Sequence, residues 1–164
     1  MVTRLILLFI VLTFVIEFTL RAVGFGDPVI YKNEYLNFYP ESNQNLKRFK
    51  GNNVKINHLG MRTNFDWKKN LDLNKIIFFG DSVTFAGSYI DNNDLFSEKI
   101  CKLYIKNSIC GNYGVNGYML QNLSARIKDI KKSKVEFDSL VILVSNSFHY
   151  GLTDFTTLPL YENF

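Results

Sequence analysis

From Leu5 to Leu20 the chain reads LILLFIVLTFVIEFTL, an apolar run broken only by Thr13, Glu17 and Thr19 and flanked by Arg4 and Arg21. Such a run has few conformations open to it. In lipid its backbone groups are satisfied only as a helix, and roughly 20 apolar residues are needed to span the hydrocarbon. Leu5–Leu20 falls slightly short, and continuation through RAVGF, with Arg21 reaching its charged head to the interface, supplies the remainder. The rival reading is a cleaved secretion signal, which has a shorter apolar core and ends in a small-x-small site. TLRAVGFG offers no good site of that kind. An uncleaved anchor over residues 1–26 is therefore expected. Its orientation is left open, because Arg4 and the amino terminus on one side are nearly matched by Arg21 and Lys32 on the other.

The rest must fold outside the bilayer. A chain of 164 residues, 47% apolar and 15% aromatic, suits one packed domain rather than disorder. The formal charge of +4 is modest, and the one lysine-rich stretch, KDIKKSK at 128–134, reads as the wet end of a helix. No nucleic-acid partner is expected. GDSVTFAG lacks the lysine and spacing of a phosphate-binding loop, and the cysteines and histidines lack metal-ligand spacing, so neither cofactor nor metal is expected.

Residues 27–70 have a character of their own. They are rich in Asn, Tyr, Lys and Phe, punctuated by Pro28, Pro40, Gly51 and Gly60, and show no sustained period. This segment reads as an extended arm with short strands, lying against a main domain at 71–164. INHLGMRTN (56–64) sits within it and is expected near the active face, with His58 as a surface or packing residue.

Beyond the arm the pattern becomes regular. KIIFFG is a continuous apolar run closed by a glycine turn, as in a strand buried on both faces. DLFSEKICKLYIK comes next, with Leu95, Phe96, Ile100, Leu103 and Tyr104 on one helical face and Asp94 as N-cap. SICGNYGV reads as a second strand. YMLQNLSARIKDIKK places Leu120, Leu123, Ile127 and Ile130 on one stripe of a second helix, and SLVILVSN is a third strand, apolar throughout. The alternation predicts a parallel sheet with helices on its faces, a three-layer α/β/α arrangement.

In such sheets functional groups gather beyond the carboxyl ends of the strands, here GDS, NYGVNG and SNS. Ser82 stands just past the first strand, where a tight turn exposes its hydroxyl. Gly117 comes after the second and lets a ligand approach the backbone N–H. Asn146 ends the third with a neutral amide donor. Converged, the Ser82 N–H, the Gly117 N–H and the Asn146 amide would form an oxyanion hole around a carbonyl attacked by Ser82.

In this order and spacing the pieces resemble the SGNH, or GDSL-type, hydrolase superfamily over about residues 74–148. FFGDSVTFAG (78–87) looks like its first block, with Ser82 as nucleophile and Asp81 beside it as a supporting residue. NYGVNGY (112–118) is similar to the second, with Gly117 as the oxyanion glycine. VSNS (144–147) matches the third only at Asn146. The anchor followed by RAVGFGDP and INHLGMR looks like the front of membrane-anchored bacterial members. The resemblance implies a flavodoxin-like fold, an extracytoplasmic domain at the periplasm or cell surface, and hydrolysis of acetyl or short acyl esters, including those on surface glycans. Acyl transfer to a sugar is the related alternative.

The departures matter equally. The family's base is a histidine three residues after an aspartate, and no Asp-x-x-His occurs here: Lys55 precedes His58 and Asn146 precedes His149 at that spacing. His149, with Asp154 as conceivable partner, is the weak candidate base in this chain, and a serine without a base is a poor nucleophile. The family fold also continues past the third strand. The expectation is a front portion of a longer enzyme, with two alternatives: half of a split enzyme completed by a second chain, or a non-catalytic anchored module binding a glycan or partner. Cys101 and Cys110 are close enough to bridge in an oxidising compartment and would otherwise be buried packing residues.

Overall fold

The structure is a computed structural model that describes residues 2–34, 37–48, 52–67 and 72–144. Helix α1 (Val2–Ala22) is long and apolar enough to cross a membrane, and none of it is buried against the rest of the chain. Its polar residues are satisfied locally. The Thr13 and Thr19 hydroxyls donate to the carbonyls one turn back, at Phe9 and Val15, and Glu17 pairs with Arg21 at 2.7 Å.

The arm folds into two antiparallel hairpins, β1 (Tyr31–Glu34) with β2 (Asn37–Pro40) and β3 (Gln44–Lys47) with β4 (Asn53–Ile56). After β4, the Asn57 carboxamide oxygen accepts from the Leu59 and Met61 N–H groups and turns the chain back. Arg62 then bridges antiparallel to Ile56 on one side and Asn112 on the other. The arm is thereby joined to an edge of the main sheet.

That sheet is parallel, in the order β6-β5-β7, with β5 (Asn74–Phe79) central between β6 (Ser108–Asn112) and β7 (Ser139–Ile142). The connection from β5 runs through a one-turn helix α2 (Ser82–Phe85), a 3₁₀ turn (Asn92–Asp94) and α3 (Phe96–Tyr104); β6 leads to β7 through α4 (Leu120–Lys132). The crossovers move in opposite directions along the sheet, and right-handed connections then place their helices on opposite faces. Alternating side chains of β5 report this directly. Ile77 and Phe79 share a core with Leu123 and Ile130 of α4 and with Met61 and Trp67 of the arm. Ile76 and Phe78 pack with Cys101, Phe96 and Ile100 of α3.

The stripe on α4 is as expected, with Leu123 and Ile130 buried and Leu120 and Ile127 packed at its edge. Helix α3 differs. It begins at Phe96, Asp94 belongs to the preceding turn capped by Asp91, and its buried residues are Ser97, Glu98 and Cys101, while Leu103 and Tyr104 are exposed. A Cys101–Cys110 disulfide joins α3 to β6 and turns that face of the helix to the sheet. Strand β7 also departs from the expected buried run. Leu140, Val141 and Ile142 are 37–45% exposed, because β7 is an edge strand among the described residues.

Candidate active site

The carboxyl end of β5 is built by one capped turn. Phe79 and Gly80 lead to Asp81, whose buried carboxylate accepts from the Val83 N–H at 2.9 Å and caps α2. Asp81 thus orders the backbone around Ser82. Ser82 is the first residue of the helix and is exposed. Its own N–H has no acceptor within the helix, as for any first-turn residue. The turn closes with Phe85 and Ala86 donating back to the Asp81 and Ser82 carbonyls at 3.0 and 2.9 Å.

The end of β6 is stitched to this turn. Val115 donates to the Gly80 carbonyl at 3.1 Å. The buried Asn112 side chain donates to the Thr84 carbonyl at 2.6 Å and accepts from the Gly114 N–H at 2.8 Å. A Cβ on Gly114 would lie 2.3 Å from the Phe85 nitrogen, so only glycine lets the two segments approach this closely. The next turn, Val115 to Tyr118, closes through Tyr118 N–H on the Val115 carbonyl. Gly117 occupies its third position at φ 79°, where a type II turn demands a positive value, and is exposed. The ring tip of Phe38 lies 3.6 Å from where a Gly117 Cβ would stand. Tyr31, Phe38 and Tyr118 form an edge-to-face chain, and Asn116 donates to the Tyr31 hydroxyl, which burial pushes up in pKa against opposing effects of Arg62 and Asn116.

Leu143 donates to the Phe79 carbonyl at 2.8 Å, which carries the third segment to the same edge. Asn146 and His149 lie outside the described residues. His58 borders a separate cleft of about 290 Å³ with Lys55, Phe65 and Asp66. Its buried Nε2 has no hydrogen-bond partner among the described residues, and it makes no bond to Ser82.

One residue escaped the sequence reading. Arg62 is 1% exposed and spreads its guanidinium beneath the loop that comes after α2. It donates to Asn92 Oδ1 at 3.0 Å, to the carbonyls of Phe85 and Gly87 at 2.6 and 2.5 Å, and to the Ile90 carbonyl. It also lies over the Phe85 ring at 4.9 Å. Burial lowers its pKa to about 10, against the opposing fields of Asp91 and Tyr31, so it stays a cation at neutral pH. A lone arginine between Met61 and Thr63, in a stretch otherwise folding inward, was the available signal.

Among the described residues no group of three or more His, Cys, Asp or Glu side chains is placed to hold a metal ion. Comparison of the chain with protein-family models, with curated proteins and with solved structures finds no match in any of the three.

Proposed function

We propose that this chain carries the nucleophile-bearing part of a membrane-anchored serine ester hydrolase of the SGNH type, with a flavodoxin-like sheet. One observation carries the reading: an exposed serine at the first position of a capped turn, on the carboxyl end of the central parallel strand. In an open α/β sheet that position is where strand order reverses and ligands bind. The stitching of the Gly117 turn to the Ser82 turn through Val115, Asn112 and Gly114 supports a shared oxyanion site. Ser82 Oγ attacks an ester carbonyl, its proton passing to a histidine base. The Ser82 and Gly117 N–H groups and the Asn146 amide take up the charge on the oxygen. Collapse breaks the bond to the alkoxy oxygen, which leaves as the alcohol with the proton from the base; water, or a sugar hydroxyl in the transferase variant, then releases the acyl group.

The disulfide favours an oxidising, extracytoplasmic compartment for the domain. The test is covalent labelling by a fluorophosphonate, in which the Ser82 O–P bond forms and fluoride leaves. Labelling of the wild type that vanishes in Ser82→Ala supports the hydrolase; a folded wild type that takes no label refutes it for this chain. That outcome would favour the second reading, an anchored binding module or half of a split enzyme, which rests on His58 standing apart from Ser82.

A further inference from the structure

Beyond its bridge to Asn112 at Arg62, the arm runs antiparallel to β6. The Thr63 hydroxyl lies 3.0 Å from the Cys110 carbonyl oxygen and 2.7 Å from Glu98 Oε1. The residues after it therefore lie toward the amino end of β6, away from the Ser82 turn. They are held firmly. Phe65 N–H donates to the Thr63 hydroxyl oxygen at 3.3 Å, the Asn64 side chain donates to Asn93 Oδ1 at 2.8 Å, and the Asn64 backbone donates to the buried Glu98 carboxylate. What this fixed turn presents to solvent is an aromatic ring: Phe65 is exposed, while Thr63 and Trp67 on either side of it are buried.

Phe65 lines two clefts at once. One is the cleft of about 290 Å³ that His58 borders, and the other, of about 320 Å³, is lined also by Cys101 of α3 and Ser108 of β6. The first is built of polar groups left open. The side chains of Asn43 and Asn45 in its lining make no hydrogen bond among the described residues. Asn57 is 6% exposed, and its Nδ2 and the buried Nε2 of His58 have no partner there either. A buried polar atom without a partner is costly to keep, and the wall of a cleft is where an incoming group can supply one. Charge is balanced on both sides of the ring, with Lys55 and Asp66 in the first cleft and Lys102 and Glu98 in the second.

We infer that the clefts on either side of Phe65 form a binding groove for a neutral oligosaccharide, with one sugar ring laid on the Phe65 ring and its hydroxyls paired with the carboxamides of Asn43 and Asn45. A sugar hydroxyl both donates and accepts, and a carboxamide is the side chain that does both without charge. The C–H face of the sugar needs an apolar partner, which a rigidly held aromatic ring supplies. The balanced charge speaks against a phosphate or nucleic-acid ligand, which calls for an excess of cations. A peptide would add to an open sheet edge or fill an apolar groove, whereas here Arg62 already bridges to both Ile56 and Asn112 and the first cleft is lined mainly by polar side chains. The groove stands apart from Ser82 and does not rest on the hydrolase reading: it holds a glycan to the arm whether or not the serine acts on it.

The test is saturation-transfer NMR on the full chain in a zwitterionic, sugar-free detergent. The probes are cellotetraose, maltotetraose, mannotetraose and the tetramer of N-acetylglucosamine, with tetraalanine and inorganic phosphate as comparators. At least one oligosaccharide is expected to bind, with transfer strongest to the C–H protons of one ring. Phe65→Ala should weaken that binding about tenfold or more, as loss of an aromatic anchor does, and Phe65→Trp should restore it. Asn45→Ala, at an exposed position of β3, should weaken it about threefold or more through the lost hydrogen bonds. Fluorophosphonate labelling of Ser82, where the wild type shows it, should be unchanged in Phe65→Ala, so the groove and the hydrolase reading stand or fall separately. Absence of oligosaccharide binding by the folded wild type overturns the inference, as does binding that Phe65→Ala and Asn45→Ala leave intact. Binding lost in Ser82→Ala but kept in Phe65→Ala belongs to the serine turn and overturns the groove; binding of tetraalanine or phosphate in place of the sugars overturns the ligand class.

Discussion

Replacing Arg62 by methionine keeps most of the volume above the Phe85 ring and removes every donor. Four acceptors then lose their partner: the carbonyls of Phe85, Gly87 and Ile90 and the Asn92 side chain. A hydrogen bond from a charged donor contributes about 1.5–3 kcal/mol, and a simple sum would overstate the loss, because the buried guanidinium gave up its hydration to make these bonds. Leaving a buried acceptor without its donor costs about 1–3 kcal/mol, and with four acceptors affected and the guanidinium's desolvation cost removed, a fall of about 3–5 kcal/mol in unfolding free energy is expected for Arg62→Met. Against a total of about 5–15 kcal/mol for a domain it is a large fraction. Arg62→Lys keeps the charge but not the planar fork, so it should recover less than half of the loss. The assay is urea unfolding in detergent followed by Trp67, the sole tryptophan, which is buried and donates to the Glu136 carbonyl at 2.8 Å. A loss below about 1 kcal/mol, or a lysine variant as stable as the wild type, would refute the account of Arg62 as the clamp of this loop.

Opening the Cys101–Cys110 bridge, by Cys101→Ser with Cys110→Ser, should cost about 2–3 kcal/mol from the short loop it closes, seen as a lower urea midpoint that dithiothreitol reproduces in the wild type alone. Gly114→Ala drives a Cβ into the Phe85 nitrogen and should destabilise by about 1–3 kcal/mol, while also slowing fluorophosphonate labelling because the Ser82 turn must shift. Burial raises the pKa of Glu98, partly opposed by hydrogen bonds from the Thr63 hydroxyl and the Asn64 backbone. Its folded form therefore holds a proton longer than its unfolded form. The resulting stability is fully present below the ordinary value of 4.5 and is lost as pH rises through the folded-state value. Glu98→Gln should flatten that slope, and Thr63→Val should move it to higher pH; an unchanged stability profile in Glu98→Gln would count against the buried carboxyl as its origin.

The parallel sheet was legible because its cause is local. IIFF, residues 76–79, is apolar at every position, as only a strand covered on both faces requires, and the stripe on α4 has the helical period. The face of α3 was legible at Leu95, Phe96 and Ile100 and misread at Leu103 and Tyr104, because periodicity ranks those two above Ser97 and Glu98 and a covalent bridge to β6 decides otherwise. Strand β7 looked like β5 in composition; its exposure depends on neighbours, and composition does not say which strand lies at an edge. At the site, Ser82, Asp81 and Gly117 stand in turns whose chemistry is written in adjacent residues. Arg62 could not be read that way, since its partners lie in a loop more than twenty positions away and the interaction is with carbonyls, which every residue has.

The bridge from Arg62 to Asn112 also sets an order of assembly. The arm leaves the ribosome before the sheet it completes, and Arg62 must wait for β6 to be made. At about 5–20 residues per second that wait is roughly 3–10 s, with α1 already made and Trp67 waiting longer still for Glu136. During that interval the second hairpin has one open edge, although the acceptors of the Arg62 guanidinium, at Phe85, Gly87, Ile90 and Asn92, are made before β6. The arm's polar composition, rich in asparagine and lysine, is what keeps such a segment soluble until its partner arrives.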